Sequence, residues 1–179
     1  DAPIAMKGTV RGKTVTITGT ANVDWAKGWL YVGRNSTAGD GTLIFENANL
    51  TSASNSSGLG INISGQKNGS NDTFNGTVKL KNSNIVLDYL QQKNVLELDN
   101  STLTVKNGCA LGGRPATETV TGEDATATTS LTNNSKLIIN NHNGQGLGYE
   151  AIGILNVDAT STFETTQSFL ITAKGTLNL

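Results

Sequence analysis

The residues able to do chemistry are few and far apart. His142 is the only histidine, in NNHNGQG. A polysaccharide-cleaving site would need it beside a carboxylate, but no paired aspartates or Arg/Lys cluster accompany it, so it is expected to be a solvent-exposed loop residue. Glu123 and Asp124 adjoin each other in VTGEDATA. Neighbours on an extended chain point in opposite directions and do not make a glycosidase pair by themselves. The loop acids Asp40, Asp72 and Asp124 could hold Ca²⁺ together with backbone oxygens. No loop has EF-hand or nonapeptide calcium spacing, so no cofactor is assigned. Cys109 stands alone, which excludes an internal disulfide; beside Ala110, Leu111 and Gly112 it reads as a small buried filler. Trp25, Trp29 and Tyr31 cluster in DWAKGWLY. Exposed, these rings could stack on sugar faces and are the candidate ligand-binding aromatics. The same residues would serve as a cap on the open end of an elongated core.

The elements that must carry these residues are announced by a repeated phrase: GTLIFENANLTS from Gly41, GTVKLKNSNIVL from Gly76 and NVLELDNSTLTV from Asn94. Looser echoes, SLTNNSKLII near Leu131 and GILNVDATSTFE near Ile154, follow. Recurrence of this kind marks a solenoid whose coils bury their apolar faces against their neighbours. Side chains on a strand alternate with period two. The inward set is then Leu43 and Phe45, Val78 and Leu80, Leu96 and Leu98, with Glu46, Lys79, Lys81, Glu97 and Asp99 in water. After Asn47, Asn82 and Asn100 the parity flips, to Leu50, to Ile85 and Leu87, and to Leu103 and Val105. Asn tolerates left-handed backbone and suits such a corner, so these three are expected to form an inward-turned ladder. From Leu80 to Leu98 is 18 residues, too short for a βαβ unit. Adjacent coils would place Lys79 over Glu97 and Lys81 over Asp99. The 35 residues from Phe45 to Leu80 imply a further coil between them, with LGINISG (Leu59 to Gly65) as its strand. DYLQQKN, from Asp88 to Asn94, reads as a loop or a single helical turn.

Composition agrees with an all-β parallel solenoid: 21 Gly, 2 Pro, 5% aromatic and 36% hydrophobic residues. The whole chain, 1–179, reads as one domain. Residues 1–29 form an N-terminal coil or cap, and 30–179 form repeated coils with loops near 52–58, 65–76, 112–130 and 140–150. The chain has 13 basic and 14 acidic residues and a formal net charge of -1. It offers no basic stripe for a phosphate backbone, so nucleic acid is not an expected partner. No apolar run approaches the ~20 residues of a membrane span. GTLNL still reads as strand at the end of the sequence, whereas solenoids need polar caps. The chain is therefore expected to be an excerpt of a longer repeat protein whose open ends could associate end to end.

LYVGRNSTAGDGTLIFENANLTS, from Leu30 to Ser52, resembles the repeat of bacterial autotransporter passenger domains and related surface adhesins. LGYEAIGILNVDATSTFETT, from Leu147 to Thr166, follows the pattern more loosely, and CALGGRPATETV followed by SLTNNSKLII is a third instance with a long inserted loop. The resemblance implies a right-handed parallel β-helix on an exported bacterial protein, secreted or held at the cell surface. A single cysteine fits such a setting. The leading functional expectation is a non-catalytic structural or adhesive segment. Its loops after Ser52, Gly65 and Gly113 would bind a host or matrix glycan or protein. The alternatives are a carbohydrate-active β-helix enzyme or a carbohydrate-binding module. Ice binding is a third class, suggested by Thr14-Val15-Thr16-Ile17-Thr18, but the phrase does not place Thr regularly enough for a flat array.

Overall fold

The computed structural model describes residues 2–33, 39–53, 59–64, 74–113, 126–140, 146–149 and 151–179. Among these residues the strands are, in chain order, β1 (Gly8–Val10), β2 (Thr14–Val23), β3 (Leu30–Val32), β4 (Gly41–Ser52), β5 (Gly60–Ile63), β6 (Gly76–Lys81), β7 (Asn84–Gln92) and β8 (Val95–Asp99). There follow β9 (Thr102–Leu111), β10 (Thr126–Thr132), β11 (Lys136–Ile139), β12 (Gly146–Leu147), β13 (Ile152–Val157), β14 (Thr162–Thr165), β15 (Leu170–Ile171) and β16 (Gly175–Asn178). One 3-10 turn, Trp25–Lys27, lies between β2 and β3. Strand pairs with strand in parallel, each against its equivalent one coil away, giving the parallel β-helix that the repeat predicts.

Three faces result. Face A stacks the first half of β2, the first half of β4, then β6, β8, β10, β13 and β16. Face B stacks the second halves of β2 and β4, the first halves of β7 and β9, then β11 and β14. Face C stacks β1, β3, β5, the second halves of β7 and β9, then β12 and β15. Register alone then fixes the core, because every second residue of a strand points inward. On face A the inward column runs Val15, Leu43, Val78, Leu96, Thr129, Leu155, Leu177. On face B it runs Ala21, Leu50, Ile85, Leu103, Leu137, Phe163. The middle members are buried, while Val15, Ala21, Phe163 and Leu177 at the two ends are only partly covered. The ends expose apolar side chains, Ile4 at one and Leu170, Ile171 and Leu179 at the other.

Two expectations are corrected here. No extra coil separates Phe45 from Leu80, which are direct partners in adjacent strands. LGINISG supplies β5, the face C strand of the same coil, and the added length is taken up by insertions at that coil's corners. DYLQQKN is neither loop nor helix, since β7 continues through Asp88 to Gln92. Leu90 and Gln92 point into the core and Asp88 is buried at the corner, so the segment lacks alternation only because a bend falls inside it. The spans read as loop are shorter than expected at their described ends: β10 begins at Thr126, within 112–130, and β12 occupies Gly146–Leu147, within 140–150.

Candidate functional site

The A/B corner is made by asparagine in coil after coil. Asn47, Asn82 and Asn100 have φ of 51°, 48° and 46°, and Asn133 and Asn134 have 55° and 62°. The flanking register, Glu46↔Lys81↔Asp99 before the corner and Asn49↔Asn84↔Thr102 after it, makes the first three equivalent. Asn100 Nδ2 donates to Asn82 Oδ1 at 2.8 Å, so the ladder exists. Its direction differs from the expectation: all three Asn side chains are exposed. The inward place belongs to the next residue, because a left-handed residue turns the chain and restarts the alternation one position later.

That next residue carries a second ladder, which parity reasoning missed. The N–H of Ala48 donates to Ser83 Oγ at 3.0 Å, that of Ser83 to Ser101 Oγ at 3.0 Å, that of Ser101 to Ser135 Oγ at 3.1 Å and that of Ser135 to Ser161 Oγ at 3.0 Å. Each hydroxyl in turn donates within its own coil: Ser83 to Lys81 O, Ser101 to Asp99 O and Ser135 to Thr132 O. The signal was the small residue after each corner Asn. The last such corner has no Asn; there Asp158, in register with Thr132 just before the turn, accepts from the N–H of Asn133 at 2.9 Å and from the N–H and hydroxyl of Thr160 at 3.0 and 2.9 Å. These bonds, with the Ser161 hydroxyl foremost, hold its carboxyl well below the usual carboxylate range. The corner lines an open groove, but its hydrogen bonds run between coils and account for the residues structurally.

The aromatics divide. Trp25 is fully buried, its Nε1–H donating to Val86 O at 2.9 Å. Val86 lies just past the end of the β4–β7 pairing, where its carbonyl has left the ladder, and the indole reaches it from two coils away. Trp25 therefore cannot offer a ring to a ligand. Trp29 and Tyr31 sit half-buried at the start of face C. They are joined by Tyr89, which the sequence reading left out: Trp29 meets Tyr89 edge-on with centroids 5.4 Å apart and lies 6.3 Å from Tyr31 at a 35° tilt. Beside them Asn62 Nδ2 donates to Gln91 Oε1 at 2.5 Å.

Other candidates are placed as follows. Asp40 Oδ1 accepts the N–H of Asn75 at 2.8 Å, a bond that ties the turn into β6. Asp72, Glu123, Asp124 and His142 lie outside the described residues. Among the described residues no three His, Cys, Asp or Glu side chains converge as a metal site would require. Cys109 is buried on face C, and burial pushes its thiol far above the ordinary range. At the B/C corner Asp88 is buried between coils, accepting from Ser52 Oγ at 2.5 Å and lying 3.6 Å from Lys106 Nζ. A Ser–Lys pair acts as nucleophile and base only when the lysine is neutral. Here a carboxylate pairs with it, and the trio serves to join three coils. On face A Lys79 meets Glu97 at 2.7 Å as their spacing predicts. Asp99, opposite Lys81, accepts from Asn133 Nδ2 at 2.7 Å.

Comparison with family models, with curated proteins and with solved structures gives no match.

Proposed function

We propose that this chain is a non-catalytic, adhesive β-helix segment of an exported bacterial protein. In this reading it is secreted or held at the cell surface, and binds a host or matrix glycan or protein through surfaces that its coils present. The observation that supports the reading is where the insertions leave the scaffold. Gly33, Ser64, Lys93 and Gly112 are equivalent positions at the end of face C, following Val32, Ile63, Gln92 and Leu111 in register. Gly41, Gly76, Asn94 and Ala127 are equivalent positions at the start of face A. Lys93 and Asn94 are consecutive, whereas the other coils insert 34–40, 65–75 and 113–126 between the same two points. Residues 54–58 and 141–145 lie between faces B and C. The A/B corner is crossed in short turns, such as Asn82–Ser83 and Asn100–Ser101.

Variable segments rooted along the edges of one face, on a scaffold whose third corner is fixed by two hydrogen-bonded ladders, is how a rigid frame carries recognition loops. The test is an array of glycans and matrix proteins probed with the purified chain, with reducing ends assayed on the same polysaccharides. Binding without release is the expected result. Release of reducing ends would replace the adhesive reading with a carbohydrate-active enzyme.

A further inference from the structure

We infer that face A docks a second copy of this chain, face to face and with the solenoid axis reversed. Among the described residues no element covers this face, and its outward side chains are exposed or half-buried. Register sorts its charges by strand. Lys79 and Lys81 project from β6, and Glu97 and Asp99 stand beside them on β8, so one coil carries two cations and the next two anions. Lys79 and Glu97 already meet at 2.7 Å. Lys81 differs: it is exposed, lies between Glu46 and Asp99 in register, and forms no ion pair with a described residue. Asp99 accepts a bond from Asn133 Nδ2, and a carboxylate has room for more.

A two-fold axis parallel to the strands and midway between β6 and β8 makes this layout self-complementary. It sets Lys79 opposite Glu97 of the second copy and Lys81 opposite Asp99 of the second copy, and symmetry repeats both contacts. Other arrangements fail on charge. A two-fold along the solenoid axis turns each coil onto its own copy, cation against cation and anion against anion. Moving the first axis one coil back, between β4 and β6, sets Lys79 against Ile44 and leaves Glu97 opposite Thr16. The rest of the face fits the chosen register. Its first outward column, Thr14, Thr42, Thr77, Val95, Thr128 and Ile154, is β-branched throughout, so its side chains are stiff and lose little freedom on contact. The axis sets Thr77 against Val95, Thr42 against Thr128 and Thr14 against Ile154, and in the next column the bulk of Ile44 against Ser130. Six coils at about 4.8 Å each, three outward residues wide, give on the order of 500 Å² per copy. That is the low end of a specific interface, so the dimer is weak and sensitive to salt. The insertions 34–40, 65–75 and 113–126 root on one margin of face A, and this axis keeps that margin on the same side in both copies. On the adhesive reading the dimer is therefore bivalent.

The experiment is analytical ultracentrifugation of the full chain over a range of protein concentrations, at low and high salt. A monomer–dimer equilibrium in low salt, weakened at least about tenfold near 1 M salt, is the expected result. Lys81→Glu and Asp99→Lys should each be monomeric alone, because each brings like charges together twice across the axis. Mixed in equal amounts they should dimerise again, since every charged contact between the two variants joins opposite signs. Thr42→Glu provides a further variant: it adds a charge at an outward position opposite Thr128, and should weaken the dimer while leaving the melting temperature near wild type. A monomer at all concentrations in low salt, a dimer indifferent to both Lys81→Glu and Thr42→Glu, or a mixture that stays monomeric although both variants melt like wild type would overturn the assignment. Such a failure, alongside array binding that depends on the insertions, would leave the adhesive reading standing.

Discussion

The backbone N–H of Ser83 donates to the hydroxyl of Ser101, one coil away, at 3.0 Å. That hydroxyl passes its own proton to Asp99 O at 2.8 Å. Both serines are buried, so the bond has no competing water. Ser101→Ala strands the Ser83 N–H and should destabilise the chain by about 1–3 kcal/mol. Chemical denaturation followed by circular dichroism measures it. The same change at half-buried Ser130, which lies on β10 outside the ladder, should cost far less.

Asn100 is held at a φ of 46°, a conformation that other L-residues enter at a cost of about 1–2 kcal/mol. Asn100→Gly keeps the backbone and loses the bond to Asn82, whereas Asn100→Ala loses both, and Asn100→Val adds β-branching to the strain. Stability should fall in the order Gly, Ala, Val, as melting temperatures of the three variants would show. An inverted order would mean that the corner does not need a left-handed residue.

Asp158 has a pKa depressed by hydrogen bonds in the folded chain, so folding favours its ionised form. That contribution is complete above the ordinary carboxylate value near 4 and drains away as pH falls toward the depressed one. The stability difference between wild type and Asp158→Asn should hold steady from about pH 7 to 5 and shrink below about pH 4. Urea midpoints across that range measure it.

Gly60 is small for reasons of space alone, since a methyl there would sit 1.9 Å from the carbonyl oxygen of Tyr89. Gly60→Ala must push β5 from β7 and should destabilise by about 1–3 kcal/mol or more. It should also separate Trp29 from Tyr89, read as a change in near-ultraviolet circular dichroism.

Cys109 is fully buried and its thiol is disfavoured as thiolate. A thiol-exchange reagent should find no reactive group in the folded chain and one after denaturation. Rapid reaction of the native protein would place Cys109 at a surface instead.

Much of this architecture was legible because a solenoid repeats its instructions. Leu43, Val78 and Leu96 share an offset within the phrase, and parity alone sent them inward, where they lie. Lys79 and Glu97 were paired by nothing more than their 18-residue separation. What failed was arithmetic across insertions: 35 residues between Phe45 and Leu80 looked like two coils, because sequence spacing does not distinguish a strand from a loop hung on a corner. The Asn corners were found and their direction misjudged, since a positive φ spends a residue on turning and hands the inward place to Ser83 and Ser101. Of the aromatic site, Trp29 and Tyr31 were visible as neighbours in the chain. Tyr89 was not, because only register brings it to Trp29, and Trp25 could be separated from them only by seeing its indole bonded to Val86.

The central claim is that recognition is carried by the insertions rooted along the edges of face C. It is tested most directly by comparing array binding of the full chain with that of variants lacking 65–75 or 113–126, all checked for equal melting temperature. Loss of ligands in the deletion variants, with no reducing ends released by any of them, is the predicted result. Ligand binding that survives both deletions would contradict the account.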